Sequence, residues 1–256
     1  RDRYDIMRHM IGHENYGLVI DRQVVTDNWS HIQIVRHMID NRLHYSNRGI
    51  PVLCPMYLYE DGKAKPNVNS EMVSMITEKT GISFSESLVE SETEFDIMDL
   101  FDYSYGILNS PLYIEKYIDL LKIEFPKVPI PNGNEMFWRI VAYGRRLRKL
   151  HLLEEDIGNP MGISFEGVGD NIVSSRKLKP EGLYINRTQL FTNVTEEIWD
   201  FCYGGYHGLQ KWFKDRNGMK LSEDDIQHVI RVLNVFEKTI SIREDLDICM
   251  DEFGLI

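Results

Sequence analysis

The chain has 256 residues, of which 43% are hydrophobic and 27% charged, and its formal net charge is −11. The hydrophobic content is enough for a folded core, which excludes intrinsic disorder as a description of the whole chain. No apolar run reaches the ~18 residues that a membrane-spanning helix needs, so we expect no membrane partner. Three cysteines without a metal-ligand spacing favour a reducing, cytoplasmic location. The chain begins at Arg1 without a Met, and we expect a fragment of a longer polypeptide.

The charge is distributed unevenly along the chain. The net charge is +1 over residues 1–50, −8 over residues 51–104, +4 over residues 105–150 and −8 over residues 151–256. Within the last block, residues 170–220 hold 8 basic and 6 acidic side chains. The bulk charge argues against a nucleic-acid partner. The separate segments reopen that question, because a polyanion could approach the neutral and basic ones.

The first hundred residues predict short strands, turns and one helix. Apolar or alternating runs with β-branched residues predict strands over residues 17–20 and 31–35. Residues 51–59 predict a third extended run, which its two prolines assign to a sheet edge. The pair Asp61-Gly62 predicts a turn. A helix is predicted over residues 70–79, with Ser70 as its N-cap.

The middle of the chain predicts three helices separated by proline-rich breaks. Apolar residues at helical spacing predict a helix over residues 96–108. The pair Ser110-Pro111 predicts the N-cap and first position of the next helix. Three alternate prolines make residues 125–131 an extended connector. Asn134 is predicted to cap a long amphipathic helix over residues 135–153.

The last hundred residues predict loops, one strand and further helices. Loops and turns are predicted over residues 156–175 and a strand over residues 182–186. Three helices are predicted: one begins at Thr195, a short one covers residues 209–214, and the last one runs from its N-cap Ser222 to about residue 246.

These elements predict a mixed α/β (α+β) fold with a largely helical C-terminal part. We expect an α/β core over residues 1–155, followed by a mostly helical C-terminal subdomain of the same module over residues 156–256.

The string Phe165-Glu166-Gly167-Val168-Gly169 matches the F-x-G-x-G cofactor loop of many methyltransferases. Such a loop needs a strand before it, a helix after it and a large sheet around it. Here Asn159-Pro160-Met161-Gly162 precedes it as a turn, and too few residues follow to complete such a domain. We therefore predict no cofactor and no catalytic residue in this chain. A catalytic methyltransferase fragment that uses this string remains the alternative.

Candidate metal sites are weak. His9 and His13 have the i,i+4 spacing of helical zinc ligands, but no third ligand is evident, and a solvated or capping role is favoured. The string Asp61-Gly62-Lys63 resembles the end of a nuclease metal site, although a turn explains it as well. We predict no metal.

Basic clusters are the better candidates for function. Residues 145–149 hold four basic side chains on a helix, which suits either a solvated face with salt bridges or a polyanion. Arg, Asn and Gln side chains can read guanine and adenine edges, and Lys and Arg can contact phosphates. The predicted DNA-contact residues are Arg22, Gln23, Arg36, Arg176, Lys177, Lys179, Asn186, Arg187, Gln189, Lys211, Lys214 and Arg216.

Several strings, in this order, carry a family resemblance. They include Y-I-N-R-T-Q at residues 184–189, G-G-Y at 204–206 and K-W-F-K-D-R at 211–216. Others lie at residues 7–10, 14–18, 29–31, 55–59, 199–201, 221–222 and 225–226. Together they resemble the C-terminal specificity (target-recognition) domain of type ISP single-polypeptide restriction–modification enzymes. The resemblance covers nearly the whole chain. The strings at residues 107–110 and 128–131, with the long helix that follows, also resemble the target-recognition modules of adenine-specific DNA methyltransferases.

The resemblance implies a parent polypeptide with nuclease, helicase-like ATPase and adenine-specific DNA methyltransferase parts, which use S-adenosylmethionine, ATP and Mg²⁺. This chain would be the non-enzymatic part that reads double-stranded DNA and presents the target adenine to the upstream methyltransferase. Its partners would be duplex DNA and the upstream methyltransferase and helicase domains. We expect the core over residues 1–155 to enter the major groove. A third reading is a docking module that binds the rest of its own enzyme instead of DNA.

Overall fold

A computed structural model describes residues 4–45 and 49–255. Its helices are α1 (Tyr4–Met7), α2 (Ser70–Thr80), α3 (Ile97–Asn109), α4 (Pro111–Leu121), α5 (Asn134–His151), α6 (Glu196–Trp199), α7 (Gly208–Asp215) and α8 (Glu223–Glu252). Its strands are β1 (Gly17–Ile20), β2 (Ile32–Val35), β3 (Val52–Pro55), β4 (Tyr57–Glu60), β5 (Lys63–Pro66), β6 (Ser83–Phe84), β7 (Glu94–Phe95), β8 (Phe165–Glu166), β9 (Lys177–Lys179), β10 (Gly182–Tyr184) and β11 (Leu190–Thr192). The predicted mixed α/β fold with a helical C-terminal part is confirmed.

The first sheet is antiparallel, with the strand order β2-β1-β3. The predicted strands over residues 17–20 and 31–35 are confirmed within one residue. The predicted run over residues 51–59 is divided into β3, at the sheet edge, and β4, which pairs with β5. The boundary between β3 and β4 lies at Met56. The Met56 amide donates to the carbonyl of Tyr16, the residue just before β1.

The turn between β4 and β5 is the one predicted from Asp61-Gly62. Both residues have positive φ angles, 48° and 76°. A two-residue hairpin turn with both central residues in the left-handed region favours Asp-Gly, because glycine has no Cβ to clash. The string Asp61-Gly62-Lys63 is therefore explained by the hairpin.

Two predicted N-caps are wrong by one residue. Asn69, and not Ser70, caps α2, since its side-chain oxygen accepts hydrogen bonds from the two amides that follow Ser70. Gly133, and not Asn134, precedes α5, with a φ of 118° that disfavours any residue with a Cβ. Asn134 is the first helical residue.

Helices α3 and α5 form the centre of the fold and pack closely. The contact lies at two glycines, Gly106 on α3 and Gly144 on α5. A Cβ on Gly144 would lie 1.8 Å from the Asp102 carbonyl oxygen, so no larger residue fits without moving a helix. The predicted connector beyond α4 is extended, and the hydroxyl groups of Tyr103 and Tyr113 donate to its carbonyls.

The predicted caps of α4 and α8 are confirmed. Ser110 caps α4, with Pro111 in its first turn, and Ser222 caps α8 in a capping box with Asp225. Helix α8 continues to Glu252, beyond the predicted end. Its residue Asp247 accepts hydrogen bonds from the Ser110 hydroxyl and the Leu112 amide, which attaches α8 to the start of α4. Among the described residues, no helix is long and apolar enough to cross a bilayer.

A second antiparallel sheet lies in the C-terminal part, with the order β8-β11-β10-β9. Lys177–Lys179, for which the sequence predicted no strand, form β9 and pair with β10. Residues 156–175 are mostly irregular, as predicted, apart from β8. Helix α7 packs on this sheet through Phe213, whose ring centroid lies 6.0 Å from that of Phe191 on β11.

Candidate nucleic-acid interface

Two turns lie side by side at one end of the second sheet. We call two segments the paired turns. Residues 166–170 start at the last residue of β8, and residues 186–189 lie between β10 and β11. The Thr188 hydroxyl donates to the Val168 carbonyl at 2.8 Å. The Gln189 side chain accepts from the Asn171 amide at 2.9 Å and donates to the Asn171 side chain at 2.6 Å. These bonds hold the two turns as one unit.

The two glycines of the F-x-G-x-G string are used in this contact. Gly167 has a φ of +98°, and a Cβ there would lie 2.0 Å from the Thr188 carbonyl oxygen. A Cβ on Gly169 would lie 2.3 Å from Oε1 of Gln189. Packing between the turns therefore explains why both positions are glycine.

Asn186 and Gln189, two predicted base-contact residues, build the second turn from inside. Oδ1 of Asn186 accepts from the Thr188 amide at 3.0 Å and from the Gln189 amide at 2.8 Å. Nδ2 of Asn186 donates to the Ile172 carbonyl, and Gln189 is 2% exposed. In this conformation both side chains face the protein, while Arg187 between them is exposed.

Strand β9 presents a basic face beside the paired turns. Lys177 and Lys179 are exposed and lie two residues apart on one side of the strand, while Leu178 between them faces the other side. Nζ of Lys179 lies 4.2 Å from the ring centroid of Tyr184 on the neighbouring strand. Arg176, just before β9, is exposed too. This strand suits phosphate contacts.

Helix α7 carries the third predicted cluster, and two of its three residues are engaged. Nζ of Lys211 lies 2.7 Å from Asp215, and this hydrogen bond lowers the pKa of the Asp215 carboxyl. The guanidinium of Arg216 stacks 3.7 Å from the Trp212 ring centroid. Lys214 is exposed, and no ion pair involves it within the part of the chain that the structure describes.

A backbone connection places α7 near the paired turns. In the segment after the first turn, the Ser174 and Ser175 amides donate to the carbonyl of Ile185, the residue just before the second turn. On the other side of this segment, Ile172 forms a β-bridge with Lys220, beyond the end of α7. The structure thus gathers nine of the twelve predicted residues on or beside the second sheet. This sheet lies in the C-terminal part, and not in residues 1–155, which were expected to enter the major groove.

The remaining three predicted residues lie apart from that group. Arg22 and Gln23 follow the end of β1, and Arg36 follows the end of β2. Because these strands are antiparallel, the two positions are at opposite ends of the first sheet. Arg36 donates to the Tyr16 hydroxyl at 2.7 Å and pairs with Glu154.

Two basic residues of α5, Arg145 and Arg148, form ion pairs with α3. Arg148, which is 6% exposed, donates two hydrogen bonds to Asp102, of 2.6 and 3.0 Å. Arg145 pairs with Asp99 at 2.8 Å. Burial raises the pKa of Asp102, and it raises the pKa of Asp99 to about 6. This cluster joins the two central helices, and the salt-bridge interpretation holds for it.

The candidate metal ligands have other contacts. Nδ1 of His9 accepts from the Tyr59 amide at 2.9 Å, and the His13 ring stacks on the Tyr59 ring at 3.6 Å. Among residues 4–45 and 49–255, no group of His, Cys, Asp and Glu is arranged to hold a metal ion.

Two exposed residues of the paired turns were not predicted from the sequence. Val168, at the tip of the first turn, is 92% exposed, and Thr188 is exposed in the second. The sequence signal for Val168 is its position between two glycines, which the cofactor-loop interpretation of the F-x-G-x-G string does not use.

Comparison with known proteins supplies a family. No match was found among curated proteins. Three solved structures share the fold at 17–19% identity: the Type ISP restriction–modification enzyme LlaGI, as a nuclease-deletion mutant in complex with a DNA substrate mimic, the ATP-dependent Type ISP enzyme LlaBIII bound to DNA, and a DrdV–DNA complex. Their TM-scores are 0.61, 0.67 and 0.69, and they cover 92%, 92% and 95% of this chain. The chain spans only 21%, 16% and 25% of theirs. The family profile of the Type ISP C-terminal specificity domain matches residues 1–245, and the chain therefore belongs to that family.

Proposed function

We propose that this chain is the sequence-reading part of a restriction–modification polypeptide and that it binds double-stranded DNA. The observation that carries the proposal is the juxtaposition of the paired turns with the basic strand β9. Lys177 and Lys179, together with Arg176, would contact phosphates, and Arg187 would reach base edges. Phosphate contacts fix the register of a protein on the duplex, and contacts in the groove supply specificity.

The family and the solved relatives support this proposal. The structures of LlaGI, LlaBIII and DrdV are complexes with DNA or a DNA substrate mimic. We propose further that the chain presents a target adenine to a methyltransferase domain of the same polypeptide, located in the cytoplasm. An enzyme that extrudes a base from the duplex must bind the DNA on both sides of that base. In our proposal this chain supplies that binding.

We place the cofactor chemistry in other parts of the parent polypeptide. S-adenosylmethionine, ATP and Mg²⁺ would act in its methyltransferase, helicase and nuclease domains. The packing of Gly167 and Gly169 against the second turn supports this division, because it gives the F-x-G-x-G string a structural role.

The test uses the full-length polypeptide that contains this chain and a duplex site that it enriches from a random-sequence library. Binding is measured over a salt series for wild type, for the double variant Lys177→Ala/Lys179→Ala and for Arg187→Ala. Each phosphate contact contributes about −0.9 to the slope of log affinity against log salt. The double lysine variant should therefore lose up to about 2 in slope, equally on all sequences. Arg187→Ala should lose about 1–3 kcal/mol on the selected site and little on scrambled DNA.

The matched control is Lys63→Ala/Lys65→Ala on β5. These lysines are likewise exposed and two residues apart on a short strand, but they lie in the acidic segment over residues 51–104. The proposal is wrong if both lysine pairs behave alike, or if wild type shows neither a salt slope nor a preferred site. Unchanged target choice by Arg187→Ala would favour the docking alternative.

A further inference from the structure

Val168 is held rigidly and makes almost no contact with its own chain. It is 92% exposed, whereas the glycines on both sides pack against the second turn. The Thr188 hydroxyl fixes its carbonyl at 2.8 Å. A β-branched side chain has few χ1 rotamers, so a contact made by Val168 costs little conformational entropy. An apolar group presented in this way has no role in folding.

The charges around Val168 differ from those on β9. Glu166 and Asp170 flank it in the first turn, and Arg187 lies in the second. Oε1 of Glu166 accepts from the Ser164 hydroxyl at 2.6 Å, and Oδ1 of Asp170 accepts from the Ile172 amide at 2.9 Å. Two carboxylates and one guanidinium make a poor phosphate site. They do match base edges, because a carboxylate can accept from cytosine and arginine can donate to guanine.

The width of the paired turns selects one groove. Neighbouring strands of a sheet lie about 4.7–4.9 Å apart, so two turns side by side have the dimensions of a two-stranded ribbon. The major groove, about 12 Å wide, admits such a ribbon without deforming the duplex, whereas the minor groove, about 6 Å wide, must first be widened. In the major groove the one apolar group that the bases present is the 5-methyl group of thymine.

We propose that Val168 reads sequence by contacting the 5-methyl group of a thymine in the major groove. This inference rests on the proposed function, since it requires the paired turns to face DNA. Glu166, Asp170 and Arg187 would supply polar contacts to neighbouring bases, and β9 would hold the backbone.

The experiment replaces thymines one at a time by deoxyuridine, which removes only the 5-methyl group. Binding of the full-length polypeptide to the selected site is measured for wild type and for Val168→Ala. Wild type should lose about fourfold in affinity at one thymine, which corresponds to the ~0.8 kcal/mol of one buried methyl-sized group. Val168→Ala should bind the thymine duplex at least fourfold more weakly and should no longer respond to deoxyuridine at that position.

Leu88→Ala is the control for removing an exposed apolar side chain, because Leu88 is 58% exposed and lies in the acidic segment. It should bind like wild type and keep the deoxyuridine response. The inference is overturned if no thymine shows the loss in wild type, or if Val168→Ala keeps it. An equal loss by Val168→Ala on every duplex would overturn it too and would indicate a wedge between base pairs. The proposed function fails separately, when wild type does not distinguish the selected site from a scrambled duplex.

Discussion

Replacing Gly167 by alanine is expected to separate the paired turns while the rest of the chain stays folded. The added methyl group is small, but it enters the closest contact between the two turns. Its calculated position lies 2.0 Å from the Thr188 carbonyl oxygen, and contacts below 3.0 Å essentially never occur for a real Cβ. The turns must therefore move apart by about 1 Å or more.

The magnitude follows from the strain and from the hydrogen bonds lost. A non-glycine residue with a φ near +98° costs about 1–3 kcal/mol. Separation also breaks the hydrogen bond from Thr188 to Val168 and weakens those between Gln189 and Asn171. Each contributes about 1 kcal/mol. We expect a total of about 2–5 kcal/mol, limited by the free energy of opening this end of the sheet locally.

The assay combines urea unfolding with DNA selection, and Gly158→Ala is the matched control. Gly158 also has a positive φ, of 62°, but a Cβ there meets no atom within 4 Å. The control should therefore cost about 1 kcal/mol and leave DNA selection unchanged. Gly167→Ala should cost clearly more and lose site preference. Equal stability and equal selection in the two variants would refute both the close contact and its role.

Three further predictions concern the central helices. Arg148→Met should lower the free energy of unfolding by about 3–5 kcal/mol at pH 8, because the Asp102 carboxylate stays buried but loses the two hydrogen bonds from Arg148. Burial already raises the pKa of Asp102, so this cost should shrink as the pH falls and the carboxyl is protonated. The wild-type chain should lose stability at acidic pH because of His151, and the variant His151→Gln should not show this loss. Burial, and then the charge of Arg243, lowers the pKa of His151 from 6.5 to about 3, so wild type loses stability as the pH falls below 6.5. At 1.36 kcal/mol per pH unit, the loss relative to the variant is about 2 kcal/mol at pH 5. Gly144→Ala should cost at least about 1–3 kcal/mol by overpacking the contact of α3 with α5.

Urea unfolding across pH checks these three predictions. A cost of Arg148→Met that does not change with pH would contradict the charge argument. Parallel stability curves for wild type and His151→Gln would contradict the predicted titration. Ala142→Gly, at an exposed position of the same helix, is the control for Gly144→Ala. It should cost about 1 kcal/mol. If Gly144→Ala lowers the free energy of unfolding by less than about 1 kcal/mol, then α3 and α5 can move apart freely.

The sequence predicted the elements that local chemistry determines. Ser110-Pro111 and Ser222 were placed correctly because a capping side chain acts on amides two or three residues away. The turn at Asp61-Gly62 was predicted correctly for a similar reason, because it depends only on the φ angles of two neighbouring residues. The Asn69 and Gly133 caps were missed because Ser70 caps a helix as well as Asn69 does, and Asn134 caps better than glycine. Only the backbone angles distinguish them.

Long-range contacts could not be predicted in this way. Arg145 and Arg148 of α5 each pair with a carboxylate 46 positions earlier in the chain, and periodicity does not encode such a partner. Asn186 and Gln189 have the right chemistry for reading bases, yet the turn uses their polar atoms internally. The burial of Gln189 depends on the first turn, which is about twenty residues away in the sequence.

The same distinction changes what the net charge of −11 means for DNA binding. Phosphates respond to positive groups that are exposed and unpaired, and not to the sum over the chain. Arg145 and Arg148 are directed at carboxylates of α3, whereas Lys177 and Lys179 stand exposed on one strand. Two lysines and a nearby arginine provide few phosphate contacts. The chain alone should therefore bind DNA weakly. Because the paired turns present Val168 beside the small basic strand β9, the chain should contribute discrimination between sequences to the parent polypeptide more than affinity.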